Sequence, residues 1–427
     1  MMKLPVITDR AEFNRRLEKR RSAFTEGLPE VDTIIRDVRA GGDNAIREFT
    51  EKFDGLVIDS PVVSSELPRE SSLTLVPALR AAITEAADNI RRFHQLQLPE
   101  GFSHIQPDGT EVSWNWRALE RVGIYVPGGR YPLLSTVLMN VIPAQTAGVR
   151  EIAVCTPPAP SGRPDDVILG VCGLLGITEV YCIGGAQAVA ALAYGTETIR
   201  PVERITGPGN RYVTAAKQSV SAQVGIDMLA GPTEVVILAD ESANAKWVAA
   251  DLISQAEHDP MAWPALVTDS STVAEAVIGA VAKLLAKLPT ADVVSRALQN
   301  QGFIYVGENL EECAGAVNEI APEHLCVQLA EQEKWMPRLK ASAIFAGGLA
   351  TVAWGDYWSG ANHTLPTAGQ ARYRGPLSVY DYLVPYSVVK VSEQTLRASA
   401  DKVKLLAEGE GLAGHALSVA IRKEHDV

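Results

Sequence analysis

Apolar residues recur every three to four positions through VDTIIRDVRAGGDNAIREFTEKF and again through LVPALRAAITEAADNIRRFHQL, so the stretch from Arg10 to about Gln97 predicts helices. After Glu120 the period changes. Short β-branched runs alternate with longer helical patterns: EIAVCTP, DVILGVCGLLG, EVYCIGG, AQAVAALAYG, then ERITGPGN leading into RYVTAAKQSVSAQ. A second series runs from EVVILAD through NAKWVAADLISQAEH, PALVTDS, VAEAVIGAVAKLLAKL, GFIYVG and LEECAGAVNEI to SAIFAGG. Strands and helices alternating at these lengths build βαβ units and parallel sheets. The two series lie on either side of AGPTE, and they predict an α/β fold of two Rossmann-like, doubly wound parallel-sheet domains. From Ser392 the pattern returns to helix in EQTLRASADKVKLLAE and LAGHALSVAIRK, which predicts small helical segments at both ends.

A chain of 427 residues with 47% hydrophobic and 21% charged positions has the composition of a globular protein of two to four packed units. Lys plus Arg number 39 against 51 Asp plus Glu, a net charge of −12, and the longest basic run is Lys19-Arg20-Arg21. A nucleic-acid partner is therefore not expected, because phosphate binding needs clustered cations. The start has no apolar signal region, and no run of about 20 apolar residues could cross a bilayer, so a cytoplasmic protein with no membrane partner is expected. Five cysteines, Cys155, Cys172, Cys182, Cys313 and Cys326, contain no CxxC pair and sit largely in apolar runs. They read as reduced core residues.

Gly409-Glu410-Gly411-Leu412-Ala413-Gly414 matches GxGxxG, but it follows a polar helix rather than a buried strand and stands 13 residues from the end of the sequence. It reads as a helix break and restart, not a dinucleotide site. Gly128-Gly129, Gly184-Gly185 and Gly207 with Gly209 do follow strand-like runs. Each suits either a tight turn or close backbone approach to a phosphate, and three together favour a nucleotide cleft at the strands' carboxyl ends. In DLISQAEHD, Gln255 and His258 are three apart and would share one helix face, either as a pair of metal ligands or with His258 as a helix-end charge. Glu323-His324 in APEHL is either a surface pair or two groups serving successive proton transfers. The aromatic, glycine-flanked WGDYWSGANH segment favours a pocket, since exposed tryptophans in a loop are costly. His415 alone reads as a solvated helix-start residue.

Taken together, GIYVPGGRYPLLSTVLMNVIPAQTAGV, IGGAQAVAALAYGT, RITGPGNRYVTAAK, GIDMLAGPTEVVILAD, DLISQAEHD, APEHL, GDYWSGANHTLPT and EGLAGHALSVAIR resemble the histidinol dehydrogenase family from about residue 30 onward. The resemblance implies a homodimer that uses zinc and two molecules of NAD in turn to oxidise L-histidinol, a small-molecule alcohol, through L-histidinaldehyde to L-histidine. It implies zinc ligands Gln255, His258, Asp356 and His415, the last completing a neighbouring subunit's site. It makes Glu323 and His324 the acid–base pair. Thr233, His363 and Glu410 join Gln255, His258, His324, Asp356 and His415 in contacting the substrate, and Tyr125, Gln187 and Asn210 contact NAD. With the two α/β series it suggests an N-terminal helical segment 1–20, a first α/β domain of 21–124 plus 235–377, a second of 125–234, and a C-terminal helical domain 378–427 exchanged across the dimer.

Zinc with mixed nitrogen and oxygen ligands and an open position acts as a Lewis acid, and an imidazole is suited to taking the hydroxyl proton. Four positions depart from the family pattern. Thr233 stands for the usual Ser, Cys326 for a Glu, ATVAW for a loop with a Pro-Glu pair, and DYLVPYS lacks a usual Lys. These departures leave open a relative acting on a different small primary alcohol, for example a sulfonated diol. A non-catalytic dimer with structural zinc is the remaining alternative.

Overall fold

The structure, a computed structural model, describes residues 4–25, 28–128 and 131–424. Its strands are β1 (Val6–Ile7), β2 (Phe102–Ile105), β3 (Glu111–Ala118), β4 (Arg121–Tyr125), β5 (Glu151–Thr156), β6 (Val180–Cys182), β7 (Arg204–Thr206), β8 (Gly225–Ile226), β9 (Glu234–Ala239), β10 (Trp263–Thr268), β11 (Phe303–Val306), β12 (His324–Gln328), β13 (Ala343–Ala346) and β14 (Leu383–Lys390). The chain divides into two compact units, Met1–Gln97 with Leu119–Tyr382, and Leu98–Ala118 with Leu383–Val427.

The first unit carries two wholly parallel sheets, as the alternating pattern predicts. One has the order β6-β5-β4-β7-β8 and the other β1-β11-β10-β9-β12-β13. Both are wound alike. The first strand of each series, β4 or β9, sits inside; the next two are laid outward on one side and the last two on the other. A switch point results between β4 and β7, and another between β9 and β12. Every residue of β9 is buried, because helices cover both faces of such a sheet and demand a continuous apolar run, here Val235 to Ala239 after the ion-paired Glu234. The helix Ala245–Ala256 that follows β9 starts where Asn244 accepts from the Lys246 and Trp247 amides, which fixes the direction in which its far end meets the sheet.

β12 lies where the sequence pattern shows only an apolar run after APEHL. Its five residues are buried between β9 and β13. The predicted helix before it, LEECAGAVNEI, ends at Ile320 with Ala321 in a left-handed conformation.

The second unit holds an antiparallel sheet of order β14-β3-β2, in a segment on which the hydrophobic pattern is silent. All of β2 is exposed and β3 is only half-buried, so no clean alternation marks them. The helices Glu393–Gly409 and Ala413–Glu424 follow, and Gly411, with φ of 76°, makes the expected break between them. Among the described residues no helix is long and apolar enough to cross a membrane. All five cysteines are buried and free.

Candidate active site

Glu323 and His324 sit at the amino end of the six-stranded sheet, where β12 begins beside β9. Glu323 is 7% exposed and His324 3%. Neither is a surface pair. The Glu323 carboxylate accepts from the Glu234 amide at 2.7 Å and from the Thr233 hydroxyl at 2.8 Å, through the same Oε2. His324 Nδ1 faces the Glu234 carbonyl at 2.8 Å, so that nitrogen carries a proton and Nε2 is the exchangeable one. Nε2 is buried with no partner, 4.0 Å from Asp356 Oδ1.

Two carboxylates thus flank one imidazole. Burial pushes the His324 imidazole down, but the charge and hydrogen bond of Glu323, the charge of Asp356 and the Glu234 carbonyl outweigh it and push it up to about 9. Asp356 lies in the short helix Val352–Tyr357, begun by a Thr351 cap, with its Oδ1 3.3 Å from His363 Nδ1. Burial raises the Asp356 carboxyl, yet the hydrogen bond and charge of His363, with the charges of His324 and His258, hold it below the usual carboxylate range.

Gln255, 2% exposed, occupies the last turn of the helix Ala245–Ala256 and donates Nε2 to Thr233 Oγ1. Its Oε1 is left buried and unpartnered. The expectation that Gln255 and His258 share one helix face is corrected by the structure. The helix stops at Ala256, and His258 lies beyond it in an exposed turn, its amide 3.4 Å from the Gln255 carbonyl. The charge of His258 is nonetheless felt at Asp356.

Among the described residues no three His, Cys, Asp or Glu side chains gather as a metal cluster. The expected ligand set contains only two such groups, His258 and Asp356, in the first unit. Its other member there is the amide of Gln255, while His415 belongs to the second unit. The residues present still fit a divalent cation. The orphaned amide oxygen of Gln255 and the buried carboxylate of Asp356, which feels the charge of His258, make a donor set of mixed oxygen and nitrogen. In the second unit Glu410 follows the helix Glu393–Gly409 and His415 lies in the first turn of Ala413–Glu424; both are exposed.

A separate cleft of about 850 Å³ lies at the carboxyl ends of the five-stranded sheet, and Tyr125, Gln187 and Asn210 all line it. Tyr125 ends β4; its hydroxyl accepts from the Gly185 amide at 3.2 Å, and burial pushes it up to about 12. Gln187 is 1% exposed and its Oε1 has no partner. Asn210 caps the helix Arg211–Val220 by accepting from the Tyr212 and Val213 amides. Gly207, with φ of 110°, carries the chain from β7 toward this cap; a Cβ there would stand 2.0 Å from the Tyr125 carbonyl oxygen. Gly128 lines the same cleft, while Gly129 lies outside the described residues.

Sequence reasoning missed Glu234, Arg20 and Asp251. Glu234 is the residue after Thr233 and is fully buried against Arg20, a partner 214 positions away that no local pattern could indicate. Asp251 lies buried one turn before Gln255. Cys326, the family departure two residues after His324, is fully buried among Val235, Ile237 and Leu252 in the core.

Doubly wound parallel sheets, with a cleft at the switch point of one and the buried Glu323–His324 pair at the amino end of the other, define an α/β protein. The sequence model of histidinol dehydrogenase matches residues 17–423. The chain is 45% identical to the histidinol dehydrogenase of Geobacillus kaustophilus over 99% of both chains, and 44% identical to that of Bacillus subtilis over the same shares. The crystal structure of histidinol dehydrogenase from Elizabethkingia anophelis is 35% identical, covers 99% of this chain and 98% of its own, and superposes with a TM-score of 0.89. This chain belongs to the histidinol dehydrogenase family.

Proposed function

We propose that the protein oxidises L-histidinol through L-histidinaldehyde to L-histidine in the cytoplasm, with zinc and NAD, as a homodimer. The observation that carries the reading is the buried Glu323–His324 pair, in which Nδ1 faces the Glu234 carbonyl so that Nε2 is the exchangeable nitrogen, while two backbone groups of Glu234 fix the orientation. Family membership supplies the substrate. Gln255, His258 and Asp356 would hold zinc, with the partner subunit's His415, contributed by an exchanged C-terminal domain of residues 378–427.

When bound, zinc supplies Lewis acidity at the substrate oxygen and NAD accepts the electrons. The chain supplies the rest. His324 Nε2, without a protein partner and facing Asp356, is placed to take the hydroxyl proton of the alcohol. Glu323, anchored by two donors, accepts a proton from the water that hydrates the aldehyde. Thr233, His363 and Glu410 contact the substrate, and Tyr125, Gln187 and Asn210 hold NAD in the cleft at the five-stranded sheet.

A panel of small alcohols, including L-histidinol and a sulfonated diol, assayed for NAD reduction before and after chelation, tests the reading. L-histidinol should be turned over best, and chelation should abolish turnover while far-ultraviolet circular dichroism is kept, because a core of this size does not need the metal to fold. Full activity after verified metal removal, or preference for another alcohol, would refute it.

A further inference from the structure

Glu234 touches the acid–base dipeptide with three separate groups. Its amide donates to Glu323 Oε2 at 2.7 Å, its carbonyl accepts from His324 Nδ1 at 2.8 Å, and its side-chain Oε2 accepts from the Glu323 amide at 3.2 Å. The other carboxylate oxygen accepts from the Ala368 amide at 2.6 Å and from Arg20, whose Nε lies at 3.1 Å and whose Nη2 is closer. The carboxylate is fully buried and its charged partner is Arg20. Arg20 is itself held, its Cζ lying 4.3 Å from the centroid of Trp263, the residue paired with Glu234 across β9 and β10.

Ala368 adds a second link. It is one of two non-glycine residues with positive φ among the described residues, at 55°, and it lies five positions after His363. A backbone forced into that region persists only where its surroundings hold it, and the Glu234 carboxylate is what receives its N–H. One side chain therefore ties together the start of β12 and the loop that follows His363.

We infer that Glu234, its carboxylate paired with Arg20 of the helix Arg10–Thr25, is a positioning residue that sets Glu323 and His324 for both proton transfers. It touches neither substrate nor cofactor. The N-terminal helix, which lies outside both windings, thereby becomes part of the catalytic apparatus. The inference rests on the proposed role of Glu323 and His324, and its test separates the two.

Glu234→Gln replaces four convergent N–H donors' acceptor by an amide with a single oxygen, so at least one donor meets another donor. The expected result is a kcat lower by roughly ten- to hundredfold, the scale of a small misplacement of reacting groups, with KM for L-histidinol and NAD changed less than about threefold. Amide hydrogen exchange should quicken at Glu323 and Ala368. The double variant Arg20→Gln/Glu234→Gln removes the unpaired charge and should recover melting temperature without recovering kcat. Arg20→Lys, which keeps the charge and loses the two-pronged contact, should lower kcat less than Glu234→Gln and is the readout if the latter fails to fold. Wild-type kcat in folded Glu234→Gln, kcat restored together with stability in the double variant, or wild-type kcat in Arg20→Lys would each overturn the inference. Inactivity of the wild-type protein toward L-histidinol would instead refute the functional reading, leaving the exchange measurement to judge Glu234 alone; unchanged exchange at Glu323 and Ala368 would then overturn it.

Discussion

Thr233 Oγ1 donates to Glu323 Oε2 at 2.8 Å and accepts from Gln255 Nε2, so one hydroxyl fixes both a buried carboxylate and the orientation of an amide. Because Nε2 is turned to Thr233, the buried Gln255 Oε1 is the atom left for a cation. Thr233→Val should release the amide to turn and remove one of the two donors to Glu323. Loss of such a hydrogen bond costs about 1–2 kcal/mol, so zinc affinity should fall by roughly tenfold, read by chelator competition. Thr233→Ser should bind zinc as the wild type does; equal loss in both variants would show that the hydroxyl is not the orienting group.

The two oxidations make different demands on Glu323, since only the aldehyde step needs an activated water. Glu323→Gln should therefore slow oxidation of added L-histidinaldehyde more than the first oxidation of L-histidinol. Single-turnover measurements of each step separate the two. If both fell equally, water activation would belong to another group.

His324 is expected to be needed from the first step. His324→Ala should lower kcat by roughly 10²- to 10⁴-fold, the range for a lost general base, with little change in KM. Steady-state kinetics on metal-replete protein decide it: a large rise in KM at unchanged kcat would make His324 a binding group only.

The α/β alternation was legible in the sequence because buried parallel strands such as β9 are uninterrupted apolar runs and their crossover helices are long. The antiparallel sheet of the second unit was not, since β2 is exposed along its length and β3 half-buried. In the site, Glu323 and His324 were visible as neighbours, and DLISQAEHD marked Gln255 and His258. What the spacing could not show was the end of the helix at Ala256, which places a buried amide and an exposed imidazole on different kinds of backbone. The Arg20–Glu234 ion pair was hidden for another reason: the Arg sits in a basic run that reads as a solvated helix face, and only the tertiary fold buries it.

Asp251 gives a pH test that does not involve turnover. It is buried, and desolvation pushes its carboxyl up to about 7, opposed by the hydrogen bond it accepts from Gln328 Nε2 at 3.2 Å. The folded protein thus keeps a proton that the unfolded chain releases near pH 4, so the stability this group contributes is full below about pH 4 and is lost as pH rises through 7. Asp251→Asn removes the dependence. Measured by denaturant unfolding from pH 4 to 8, the variant should gain on the wild type as pH rises to 7, by at most roughly 4 kcal/mol, and the difference should then level. A difference independent of pH would mean that Asp251 is ionised in the folded state throughout.

His415 stands exposed in the first turn of the helix Ala413–Glu424, in a different unit from Gln255, His258 and Asp356. If it serves a neighbouring subunit's zinc, a twofold dimer has two composite sites, and damage on opposite sides of one site can be placed on different chains. His415→Ala and His258→Ala homodimers should each be inactive. In an equal, freely exchanged mixture half of the dimers are mixed, and each mixed dimer holds one intact site and one doubly damaged site. About a quarter of wild-type sites should then return, measured as NADH formation after subunit exchange and scaled to total protein. If exchange is confirmed by a mass-tagged subunit and no activity returns, His415 serves its own subunit's site or none.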